Sequence, residues 1–414
     1  MIRISGATGK QSVSSVAFEE PEVISADVKK ESSAEVNSHS DAQKQNAISR
    51  QNENNLTAML QKERLAEIPR ANIAKKDVDT LAAALNSNTD AAEGVKIELR
   101  ATFKNNGPGQ HAKIAECMRQ FAAAGTKSYG QAYQSLKNEM SDWTKFDRTG
   151  MSQPAQRNLF KEITNLQGPG PARVKADLAL MIHNNIEQAK RETTGTGLRA
   201  YAGMYTAELG KLLQSTPAAI FKTLENDPVT QKLIPGIIDN LLNFKEGHKA
   251  IGAIMVDLAT ANLRLLIESP SQYENQSYQL GRFLAHVERG IERNARTREQ
   301  AIEMGANILT YGLKAAENLA ELLLGNSSAK GGFQKVTEAI DWLKNRDIAS
   351  VEEARKHFNT SMQDLVDATF RSIADPYGYH AAGDGDPVAA LKYEKALFIC
   401  EREIMNGRRD VLQR

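Results

Sequence analysis

The sequence predicts an all-α protein, with a disordered N-terminal arm followed by stacked helical bundles. Three observations predict it. Apolar residues recur at the i, i+3, i+4 spacing of amphipathic helices from about Leu56 onward. No stretch between turn signals keeps the period-two alternation of a strand. Aromatic residues make up only 6% of the chain, which suits helix-on-helix cores of Leu, Ile and Ala better than sheets.

The arm spans residues 1–55. It is rich in Ser, Asn, Gln and Glu, and Phe18 is the only aromatic residue before Phe103. Such a segment buries too little apolar surface to offset its ordering entropy, so disorder is expected. Its apolar residues are nevertheless clustered: Ile2 and Ile4, then Val13, Val16 and Phe18, then Val23 and Ile24. Clusters of this kind suit docking segments that order on a partner, although they are equally compatible with no role. In extended chain, Val16 and Phe18 share a face while Glu19, Glu20 and Glu22 stay hydrated. The candidate partner-binding residues are therefore Val13, Val16, Phe18, Val23 and Ile24.

Helical periodicity begins with Leu56, Met59, Leu60 and Leu65, and resumes after Pro69 with Val78, Leu81, Ala82 and Leu85. Residues 91–103 form the next candidate, closed by Asn105, Asn106, Gly107 and Pro108. The clearest amphipathic segments thereafter are 174–189, 198–213, 237–242, 250–267, 280–291, 301–324 and 391–405. They are separated by stops at Gly125, Gly150, residues 168–171, residues 195–197, Pro217, Pro228, Pro235, Gly247, Pro270, Gly325 and Pro376. Ser350 with Glu353 fits a capping box opening residues 350–373. Ser152 before Pro154 and Asp386 before Pro387 mark two further starts. The body divides into an N-terminal bundle, 56–215, and a C-terminal bundle, 216–414. A Gly-Pro-Gly run precedes helices at both 107 and 168; such runs are ordinary stop-and-start chemistry, and no repeat is inferred.

Charge bounds the partners. Lys plus Arg number 52 against 51 Asp plus Glu, a net charge of +1, so no nucleic-acid footprint is expected. Cys117 and Cys400 supply no paired or zinc-like spacing and read as buried free thiols. Residues 1–30 contain no continuous apolar run of a secretory signal. The most apolar stretch, 250–267, is interrupted by Asp257 and Arg264, which predicts a core helix and no membrane span.

Motifs for chemistry fail on inspection. Residues 6–10 have the Gly-Lys of a phosphate loop, but Ile4 stands at the required first Gly and Gln11 at the required Ser or Thr. Residues 147–150 resemble the end of a phosphatase loop, yet Asp142 occupies the position of the thiolate. Residues 383–386 lack the alternating oxygen ligands of a calcium loop. His183 and His286 read as satisfied helix histidines, and no nucleophile elbow occurs. No metal site, cofactor or catalytic residue is assigned.

Two resemblances remain. Gly197-Leu198-Arg199 resembles the arginine-finger motif of bacterial toxins that activate Rho GTPases, which implies an arginine stabilising charge on a transferring phosphoryl group. The match departs at Thr196 and Gly203, and the solvated face of a helix is the simpler reading of Arg199. The layout as a whole resembles substrates of Gram-negative type III secretion systems, both gatekeepers and effectors. Met1 to Ser15 resembles their uncleaved Ser- and Ile-containing signal, and 13–24 their chaperone-wrapping segment. The resemblance implies a non-enzymatic helical protein that binds protein partners, among them a secretion chaperone through the arm. It also implies a bacterial cytoplasmic location before export, then secretion or delivery into a host cell. The alternatives are an effector acting on a host GTPase, or another enzyme with a site assembled from separate helices, and a cytoplasmic or phage structural protein.

Overall fold

In a computed structural model the described residues are 73–413, apart from 88–89, 106–108, 147–152, 193, 269, 325–331, 346–347 and 382–386. The arm, with Val13, Val16, Phe18, Val23 and Ile24, lies outside them, as do Leu56 to Leu65 and the motifs at 6–10, 147–150 and 383–386. About 88% of the described residues are helical and none is in a strand, so the all-α expectation holds.

Four helices open the body: α1 (Lys75–Leu85), α2 (Asp90–Lys104), α3 (Gln110–Ala123) and α4 (Lys127–Trp143). Val78, Ala82 and Leu85 line one face of α1 and are buried against α4, as their spacing predicts. Phe103 stacks on Trp143 at 5.4 Å and meets His111 edge-on, and His111 Nε2 reaches the Phe103 carbonyl at 2.9 Å. Next come α5 (Gln153–Thr164), α6 (Pro171–Glu192), α7 (Gly195–Ser215), α8 (Pro217–Glu225), the single turn α9 (Pro228–Gln231) and α10 (Ile234–Leu242). Helix α6 is the hub of this part. It packs on α3, α5, α7, α8 and α10, and buries Val174, Leu178, Ala179, Ile182, Ile186 and Ala189 completely.

Five longer segments and one short one complete the chain. They are α11 (Lys245–Glu268), α12 (Pro270–Asn294), α13 (Arg298–Leu324), α14 (Gln334–Asn345), α15 (Val351–Ala381) and α16 (Pro387–Leu412). Helix α11 lies between α7, α12, α13 and α15, so helices on both sides of residue 215 share one apolar cluster from Val78 to Ile404. No helix among the described residues is long and apolar enough to cross a membrane.

Glycine sets the closeness of several crossings. A Cβ on Gly252 of α11 would lie 2.6 Å from the Gly312 nitrogen of α13, and one on Gly281 of α12 only 2.0 Å from the Ile404 carbonyl oxygen of α16. These backbones approach as they do only because no side chain intervenes. Gly170 combines a φ of 91° with a Cβ position 2.6 Å from the Arg119 carbonyl oxygen.

The terminators act mostly as read. Pro217, Pro228 and Pro270 each open a helix, where a missing N–H costs nothing. Glu353 N donates to Ser350 Oγ at 3.1 Å, while the Glu353 carboxylate returns to the Ala349 N–H at 2.8 Å. Three stops do not hold, the first of them Gly197 inside the opening turn of α7. Gly247 lies inside the first turn of α11, its N–H bonded to the Phe244 carbonyl. Helix α15 also continues through Pro376 to Ala381, because a proline removes a single helical N–H bond and a long helix can absorb the bend.

Candidate functional site

The most distinctive surface lies on α16. Its inner face is read directly from spacing: Cys400, Ile404, Gly407 and Val411 recur at i, i+4, i+7 and i+11, and all four are buried. Small residues at this seam let α16 lie tight on α12. A second apolar row runs along a different side. Leu391, Phe398, Met405 and Leu412 are 67%, 66%, 53% and 38% exposed, and consecutive members are seven residues apart. At 100° per residue this row sits about 140° from the inner face, so one helix carries two apolar stripes and the described residues cover only one.

Polar contacts fix the orientation of that helix. Arg282 of α12 is 6% exposed and donates to Asp410 at 2.6 Å and to Glu225 of α8 at 2.7 Å. Tyr278 Oη donates to the same Asp410 carboxylate at 2.8 Å. Arg408 pairs with Glu288 of α12 at 2.9 Å and reaches Gln363 of α15 at 3.3 Å, and Arg289 donates to the Leu412 carbonyl at 2.7 Å. The exposed row is flanked by opposite charges. Glu394 and Glu401 stand on one side, while Lys395, Arg402 and Arg409 stand on the other, all exposed.

Beside α16, a cleft of about 530 Å³ opens between α12 and α15. Three of its six charged side chains, Glu288, Arg355 and Arg408, are bonded within the fold. Glu288 accepts from Arg408 and Asn359, and Arg355 donates to the Glu292 and Ala295 carbonyls, closing the C-terminal turn of α12. This is a polar strut holding three helices in register, and it aligns no nucleophile with a base. A groove of about 310 Å³ lies between α4 and α6, where Asn185 is engaged with the Thr144 carbonyl and the Phe146 N–H. A third pocket, about 320 Å³, is walled by Leu81, Leu99, Ile114, Leu136 and Cys117.

Arg199 is exposed near the start of α7, on the solvated face. Cys117 and Cys400 are buried free thiols, and burial pushes each up to about 11. His183 is buried with Nδ1 against Asn240 at 2.8 Å, and burial lowers its pKa. His286 departs from the satisfied reading: Nε2 is buried without a hydrogen-bond partner among the described residues, and burial lowers the ring to about 4. Among the described residues no three His, Cys, Asp or Glu side chains converge as metal ligands.

Sequence reasoning did not single out Lys175, because a lysine within an amphipathic helix is ordinarily solvated. It is completely buried on α6, Nζ has no hydrogen-bond partner among the described residues, and burial lowers it to about 8. Depressed lysines serve imine-forming enzymes, but the walls of the three cavities above do not include Lys175. It is a stability defect. The ammonium costs folding energy wherever it is charged in both states, which is below about pH 8. Lys175→Met keeps the length and removes the charge, so it is expected to stabilise the protein by about 2–3 kcal/mol at pH 7. Denaturant unfolding of both proteins checks this. The gap should close as pH rises from about 8 toward roughly 10.4, because the unfolded chain then binds more protons than the native one. A less stable Met variant at pH 7 would refute the assignment.

Comparison with protein-family models, curated proteins and solved structures gave no significant match.

Proposed function

We propose that this chain is a non-enzymatic protein-interaction protein of bacterial type III secretion, gatekeeper-like or an effector, which works by presenting helical surfaces to other proteins. The observation that carries the interaction reading is the uncovered apolar row on α16, because a row of large side chains held in water by a rigid scaffold costs solubility unless something covers it. The scaffold behind it consists of helix crossings and satisfied charge pairs. The secretion reading is supported by the leader and by the arm, where Val13, Val16, Phe18, Val23 and Ile24 would engage a chaperone.

Export is the test of the secretion half. Deleting residues 2–20 should abolish secretion through a type III apparatus while leaving the far-ultraviolet circular dichroism of the body unchanged. Val16→Asp with Phe18→Asp should weaken chaperone binding by well over tenfold, since each buried side chain contributes on the order of 1.5–3 kcal/mol. Undiminished export of the deletion variant would remove the secretion reading.

A further inference from the structure

We propose that the exposed row on α16 is a self-association surface, covered by the same helix of a second copy running parallel to it about a two-fold axis. The proposal rests on the interaction reading above and names its partner. Its first support is the period. Leu391, Phe398, Met405 and Leu412 repeat every seven residues, the spacing that keeps a seam between two helices wound left-handed around each other. On a straight helix this row drifts by about 20° per heptad, or roughly 60° across its length, and a supercoiled partner removes that drift. The inner face of α16 carries the same spacing, with Cys400 and Gly407, and Ile404 and Val411, seven residues apart, and it is already taken by α12, so period alone shows that the outer row suits a helix and the flanking charges must choose which one.

The second support is charge, and it also chooses the direction. Relative to the row, Glu394 and Glu401 project to one side, and Lys395, Arg402 and Arg409 to the other. In a parallel two-fold pair the acidic flank of one helix faces the basic flank of its mate, so Glu394 meets Lys395 and Glu401 meets Arg402, twice each. In an antiparallel pair each flank meets itself, which sets Lys395, Arg402 and Arg409 against their own copies. The Arg402 side chain is spared little by its contact with Glu403 on the same helix at 2.8 Å, since Arg402 is half exposed. The body does not intervene, because it lies on the far side of α16 from the row. Four side chains fall short of the roughly 800 Å² per partner of a standard stable interface, so the dimer is reversible and depends on concentration.

Sedimentation velocity of the full chain over a concentration series reads this directly. The mass should rise from monomer toward dimer. Phe398→Asp should raise the dissociation constant at least tenfold without lowering the melting temperature, because Phe398 is outside the core. Glu401→Arg and Arg402→Glu should each weaken the dimer, and the two together should restore it. Arg402→Glu alone tightening the dimer would overturn the parallel pairing. A dimer indifferent to Phe398→Asp, or a monomer at every concentration, would overturn the self-association. If that monomer still loses chaperone binding or export on Phe398→Asp, the second copy is the wrong occupant while the interaction reading stands.

Discussion

Arg282→Met should destabilise the protein by about 3–5 kcal/mol, a loss of melting temperature on the order of 5 °C for a body of this size. The reason is what it leaves behind. Arg282 is the common partner of Glu225 from α8 and Asp410 from α16, at 2.7 and 2.6 Å, and it is itself only 6% exposed. Burial raises the Glu225 carboxyl, and Arg282 is what opposes that rise. Without the guanidinium, Glu225 must keep an unpaired buried charge or take up a proton. Its folded pKa then stands above the unfolded value, so stability is present at low pH and is lost as pH rises through the folded pKa. The variant should therefore lie closest to wild type near pH 4 and furthest from it near pH 8. A second substitution sharpens the test: Glu225→Leu on the Arg282→Met background should recover part of the loss, because it removes the stranded carboxylate. Calorimetric melts across that pH range decide it, and a pH-independent loss would mean that packing, not charge, carries the effect.

How far the fold was legible follows from which contacts are local. Helices α6, α12 and α13 were readable because their buried residues follow the 3.6-residue period within one segment, as in Val174, Leu178, Ile182 and Ile186. The capping box at Ser350 was readable for the same reason. Lys175 was not, since a lysine on a helix is ordinarily solvated and only the convergence of five helices on α6 buries it. Pro376 misled because propensity is a local preference that the surroundings of a long helix can override. The row on α16 is the instructive case. Leu391, Phe398, Met405 and Leu412 and the inner set of Cys400, Ile404 and Val411 are both written in the sequence, and the segment 391–405 was recognised as amphipathic. Which of the two faces the body takes is settled by Gly281 on another helix, more than a hundred residues away in the chain.

That seam yields the other large effect. Gly407→Ala should cost about 3 kcal/mol or more, although alanine is favoured over glycine inside a helix by about 1 kcal/mol. A Cβ on Gly407 would stand 2.0 Å from the Tyr278 carbonyl oxygen and 3.0 Å from the Arg282 nitrogen, and these are backbone atoms that cannot swing aside. The reciprocal glycine is as tight, with Gly281 facing the Ile404 carbonyl at the same 2.0 Å. Relief therefore requires α16 to move away from α12 as a unit. That movement draws Asp410 from Arg282 and Tyr278, and the Leu412 carbonyl from Arg289. Because one displacement disrupts the packing and the ion pair together, Gly407→Ala combined with Arg282→Met should cost less than the sum of the two. Gly203→Ala is the control. Its Cβ would meet only Phe244 carbons at 3.8 and 3.9 Å, an ordinary contact, so this variant should be neutral or more stable by up to about 1 kcal/mol. Hydrogen exchange locates the damage: Gly407→Ala should lose protection first along Pro387–Leu412 and the facing turns of Pro270–Asn294, with α1 to α6 unaffected. If Gly407→Ala melts with wild type while Gly203→Ala does not, the tight α12–α16 seam is misplaced, and with it the assignment of the outward row.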